Sequence, residues 1–186
     1  MTIRWFGLAG AIWGLLGIFA LVGWAVIRLS ENAWLALDMP WSTVQWGFFV
    51  DWLVFMIYGE GYRGFQKGFS PRVVARAVHL ARNPVWWHVL LAPAYCMGFV
   101  HATPRRRLVS ILVTSGIVVL VLLVSQLPQP WHGIVDFGVV AGLVYGLFFI
   151  AWYAIGHLLG RPVDHPADVP EGDSPASVPV VSRDGG

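Results

Sequence analysis

The chain has 186 residues, of which 57% are hydrophobic and 12% charged, with a formal net charge of +2. A soluble domain carries about 25% charged residues, so this chain lacks the polar surface to cover itself in water. That excludes an ordinary soluble domain and points to an all-α integral membrane protein of one domain.

Cys96 is the single cysteine, which rules out an intrachain disulfide. Eleven arginines against one lysine, with abundant glycine, suggest a bacterial chain and hence a multi-pass protein of the inner membrane.

Residues 5–27 are uncharged and as a helix reach about 34 Å, enough to cross the hydrocarbon core. The run exceeds a signal-peptide core and no small-residue cleavage site follows, so it is expected to be a retained span. Gly10, Gly14 and Gly17 recur at helical spacing, a stripe that lets another helix approach closely. Residues 28–41 form a short polar connection flanked by Trp34 and Trp41. A second span is expected over 43–58, with Asp51 near its centre.

The basic insert that follows, 59–107, holds eight of the twelve lysines and arginines. Within it Ser70 suits a helix N-cap and Pro71 a first helical position. Arg72, Arg76, His79 and Asn83 then share one face, opposite Val74, Val78 and Ala81. The pattern predicts an amphipathic helix over 71–82 lying in the membrane interface, ended by Asn83-Pro84. Residues 108–127 and 133–159 predict two further spans joined by a tight turn. Gly138, Gly142 and Gly146 fall at intervals of four along the last. Residues 161–186, with five prolines and few large apolar groups, are expected to be a disordered cytoplasmic tail.

Residues 85–103 are long enough to span. If they cross, there are five transmembrane helices and the basic residues divide six against six. If they dip in and return, as a re-entrant or partial membrane helix, eleven lie on one side and Arg28 alone on the other. Cytoplasmic enrichment of Lys and Arg sets orientation, which favours four spans plus the partial insertion, with N- and C-termini both cytoplasmic.

Asp51 is the first candidate for chemistry, because an ionisable group at mid-bilayer costs at least about 2.5 kcal/mol and needs a partner. Tyr58 lies on the same face. The bland alternative is a protonated Asp51 making one structural hydrogen bond. Glu60 and Arg63 are spaced for an ion pair on an α-helix. With Tyr62, His88, His101 and His157 they make a candidate pocket at the cytoplasmic face. The competing view is a solvated helix end and scattered core histidines. His88 and His101, 13 residues apart, would lie on nearly opposite faces of one straight helix. Neither phosphate-loop spacing nor a paired-histidine motif is present. Cys96 in an apolar run is the pattern of a small core residue, and Asp136 suits a helix start. Arg72, Arg76, Arg105, Arg106 and Arg107 are expected at anionic lipid headgroups.

The pattern leads to an accessory, scaffold or assembly subunit. Its glycine-rich faces would meet a larger membrane protein or another copy, with no metal, no cofactor and no nucleic acid. Two rivals stand beside it: a small transporter or channel component using Asp51 as coupling carboxylate, and an intramembrane enzyme or haem-binding protein.

Overall fold

The computed structural model describes residues 2–162 and 165–169. Most of the expected tail, 163–164 and 170–186, lies outside the described residues. Helices account for the architecture, with no strand among the described residues: α1 (Thr2–Leu37), α2 (Thr43–Met56), a π-helical segment (Ile57–Phe69), α3 (Ser70–Arg82), α4 (Trp86–Leu90), α5 (Ala92–Met97), α6 (Pro104–Val124) and α7 (Trp131–Leu158). Three helices are long and apolar enough to cross a membrane: Trp5–Leu37, Pro104–Val124 and Trp131–Leu158.

The segment expected as a separate span over 43–58 is instead the first two fifths of one continuous helix from α2 through α3. Its start is a capping box, with the Ser42 hydroxyl accepting from Gln45 N–H and the Gln45 side chain accepting from Ser42 N–H. At both internal junctions the backbone stays right-handed helical, at Ile57 (φ −63°, ψ −42°) and at Ser70 (φ −59°, ψ −47°). Ser70 is therefore not an N-cap. Pro71, which has no N–H, stands where wide-turn bonding (Ser70 N–H to Phe65 C=O) gives way to α-helical bonding. Residues 71–82 do not lie free as an interfacial helix either. They pack against α1 and α7, with Val73, Val74, Ala77 and Leu80 buried.

The bundle is built from α1, the long helix and α7. Gly133 at the start of α7 approaches Asn32 and Ala36 near the end of α1, so these two run antiparallel. Gly138, Gly142 and Gly146 meet Trp52, Glu60 and Phe65 in turn, so the long helix runs parallel to α7. The glycine spacing marks real close packing, but within the chain. Gly10, Gly14 and Gly17 likewise receive Val89, Cys96 and Pro93. Both stripes are occupied, which leaves neither for a partner. α6 is different: it makes at most isolated contacts with the other elements, and nearly all its residues are exposed.

Residues 85–103 do not form one helix. α4 and α5 have five and six residues, too few to cross a bilayer. α5 ends at Gly98 in the left-handed conformation (φ 86°), and the chain folds back until the His101 ring lies 4.5 Å from that of His88.

The close approaches set a stability test. A Cβ on Gly138 would stand 2.5 Å from the Trp52 ring, whereas one on Gly23 or Gly47 would meet nothing within 4 Å. Gly138→Ala should cost about 1–3 kcal/mol, seen as an earlier unfolding midpoint in detergent. Gly23→Ala should leave the midpoint unchanged or raise it slightly.

Candidate functional site

Arg76 is 1% exposed and uses all five of its N–H donors. Nε donates to Tyr95 C=O at 2.6 Å, Nη1 to Ala167 C=O at 2.6 Å and Asp168 C=O at 3.4 Å, and Nη2 to Val100 C=O at 2.7 Å and His101 C=O at 3.0 Å. Its guanidinium also lies 4.3 Å from the Tyr95 ring centroid. Arg76 was expected at headgroups; it is a buried clamp. The cause is the broken chain at 95–101: Tyr95 C=O accepts from Gly98 N–H at 3.0 Å, but Val100 C=O and His101 C=O receive no backbone donor among the described residues and must be satisfied inside the protein. Residues 167–169 were expected to be disordered. Ala167 and Asp168 give their carbonyls to this clamp, Asp168 C=O also accepts from Thr103 N–H at 3.0 Å, and Val169 packs on the core.

Of the candidate cytoplasmic pocket, only His88 and His101 are brought together, with Tyr95 5.0 Å and 6.3 Å from them by ring centroids. The bend at Gly98 achieves what a straight helix could not. Two imidazoles 4.5 Å apart leave no room for a flat macrocycle between them, so the pair does not fit a bis-histidine haem. No group of three or more His, Cys, Asp or Glu suited to a metal occurs among the described residues. His157 is in the last turn of α7, whereas Glu60 sits beside Gly142, about 15 residues and hence roughly 22 Å back along that helix. The Glu60–Arg63 ion pair does not form among the described residues. In a π-helix, residues three apart no longer come round to the same side.

Asp51 is exposed on the outer face of α2 and makes no hydrogen bond or ion pair with the described residues. Its depth also differs from the expectation. Trp52 Nε1 donates to Val135 C=O at 3.0 Å, which puts Asp51 level with the start of α7 rather than its middle. That layer is polar in its own right: Asp136, 3% exposed, accepts from Asn32 Nδ2 at 3.0 Å and lies 3.3 Å from His132 Nε2. Asn32 and His132 were missed by sequence reading. The i, i+4 spacing of His132 and Asp136 was the available signal.

The groups that stand halfway along α7 are those of the π-segment. Glu60, Arg63 and Lys67 are exposed, the Tyr58 and Tyr62 rings stack at 5.8 Å, and Lys67 Nζ lies 4.5 Å from the Tyr62 centroid. This outward face carries two cations and two ordered phenols, while Glu60 stands at its edge with its Cβ against Gly142. Arg105 and Arg107 are exposed at the start of α6, while Arg106 and Arg72 are half-buried and Arg72 returns to Gly68 C=O at 2.6 Å.

Cys96, 2% exposed, is held between Gly14 and the clamp, buried away from reagents. It is inert as a nucleophile at neutral pH but useful as a reporter. Arg76→Ala should cost about 3 kcal/mol or more, since several buried carbonyls lose a charged donor. It should also turn slow thiol-reagent labelling of Cys96 into fast labelling in detergent. Arg76→Lys, with three donors, should fall between. Continued protection of Cys96 in Arg76→Ala would show that the segment is held by other means.

Set beside known proteins, the chain matches no family model, no curated protein and no solved structure.

Proposed function

We propose that this is a small membrane-embedded accessory or assembly subunit whose partner covers the outward face of the π-segment. The chain crosses the bilayer four times in this reading, by α1, the long helix, α6 and α7, with 85–103 entering and returning. Both termini then lie on the arginine-rich, cytoplasmic side. Arg72, Arg105, Arg106 and Arg107 face anionic headgroups from that side.

The observation that carries the reading is the exposure of Glu60, Arg63 and Lys67 halfway along α7. Charges at such a depth are costly against lipid and call for a partner. A second copy is the weaker occupant. Two copies inserted the same way are related by an axis along the membrane normal, which sets Arg63 and Lys67 beside their own duplicates. A helix from another protein, with acids facing Arg63 and Lys67, answers the charges.

The transporter rival loses its ground within one chain. Asp51 is on the outer surface near one end of the bundle, and the groove described below is not lined by it. The enzyme rival required Glu60, Arg63 and a histidine to converge. They are not brought together.

A photo-crosslinking residue at Tyr58, 58% exposed, tests the proposal in intact membranes. The expected product is a covalent adduct with a second, different membrane protein. The combined change Arg63→Gln and Lys67→Gln should reduce that adduct at least fivefold, as two lost charge contacts imply. Adducts with lipid alone would sink the subunit reading.

A further inference from the structure

Between α1, α3 and α7 lies a groove of about 830 Å³, within the usual size of a ligand site. Its walls are apolar: Leu8, Ile12 and Leu15 from α1, Val74 and Val78 from α3. Its polar groups are at one end, where α1 begins and α3 and α7 finish. Arg82 is exposed there and makes no hydrogen bond or ion pair with the described residues. His157 lines the same end, its Nδ1 3.3 Å from Arg161 C=O, which leaves Nε2 for a ligand.

We infer that this groove binds one acyl chain of an anionic phospholipid, with the lipid phosphate at Arg82 and His157. The dimensions match. From Trp5 to Leu15 the α1 wall runs about 15 Å, half of the roughly 30 Å hydrocarbon core and therefore one leaflet deep. A chain entering from the headgroup layer would end beside Leu15 and Val74, the lining residues furthest from Trp5 and Arg82. The charges match as well. A guanidinium at the lip takes a phosphate through paired N–H donors; with Nδ1–H given to Arg161 C=O, the imidazole adds a second donor at Nε2 in its doubly protonated form. A neutral lipid or a soluble anion would satisfy only one half of the site. The inference rests on the reading of the chain as membrane-spanning with this end at a headgroup layer. It uses no residue of the π-segment, so it and the partner surface fail separately.

The test uses the full chain in nanodiscs of phosphatidylethanolamine and phosphatidylglycerol, released into detergent and examined by native mass spectrometry. The wild type should retain about one equivalent of phosphatidylglycerol in preference to the zwitterionic lipid. Arg82→Gln should weaken retention roughly five- to tenfold, the effect of one interfacial cation, and His157→Ala should weaken it less. Val78→Trp should fill the groove and abolish retention. Leu8→Gln, at a position 42% exposed, should also lower it should Val78→Trp fail to fold, as judged by Cys96 protection. Equal retention of both lipids, no retention by the wild type, or retention unchanged by Arg82→Gln would overturn the site. Membrane integration with no retained lipid would remove the groove's ligand and leave the topology standing.

Discussion

One guanidinium sets the shape of half this molecule. A chain that enters a helical bundle and turns back must break its helix, and a broken helix leaves carbonyls that neither water nor a neighbouring strand can satisfy. Arg76 answers at Tyr95, Val100 and His101 and extends the same solution to Ala167 and Asp168. Carbonyl dipoles and the Tyr95 ring surround the charge, so the cost of burying it is met by the same contacts that hold the bend. The left-handed Gly98 supplies the backbone turn, but a turn alone would leave its carbonyls orphaned. Once the bend is fixed, His101 returns beside His88, Thr103 can start α6, and residues 165–169 have a surface to rest on.

The clamp also explains why the long helix continues past its apolar portion. Arg76 must project from a rigid element to reach five acceptors at once, and α3 is rigid because it is braced by α1 on one side and α7 on the other. The π-segment between α2 and α3 changes the phase of the helix. Its wider turns carry Arg63 and Lys67 outward while Phe65 is delivered against Gly146.

Much of this was legible in the residues. Charge-free length showed α1, α6 and α7 as apolar helices. The interval of four between Gly138, Gly142 and Gly146 showed a close-packed face, and the proline and glycine of 85–103 fit the broken helices α4 and α5. Other features were not legible, for definite reasons. The periodicity of Arg72, Arg76, His79 and Asn83 is the same whether the face meets headgroups or a returning loop, so Arg76 read as surface. The Glu60–Arg63 spacing implies a pair only if the helix is α, and nothing local to the residues announces π geometry. Asp51 sits at the centre of 43–58, but depth is measured along the whole helix to Arg82. The glycine stripes showed that something packs closely without saying that the something is this same chain.

The faces that remain outward divide by chemistry. Beyond its three arginines, from Leu108 to Val124, α6 is predominantly apolar on every side, so lipid is an adequate neighbour for that stretch. The groove at Arg82 is apolar along its depth and cationic at its lip, the pattern of a single lipid molecule. The π-segment fits neither description. Its two cations and stacked phenols are too polar for acyl chains, and they stand halfway along α7 rather than at an end of the bundle. The internal glycine faces are filled, which removes the usual means of helix association from the list of available surfaces. In the reading proposed above, a partner binds this face and brings charges of its own. Specificity would come from electrostatic complementarity in a low-dielectric setting, where a mismatched neighbour is penalised more heavily than it would be in water.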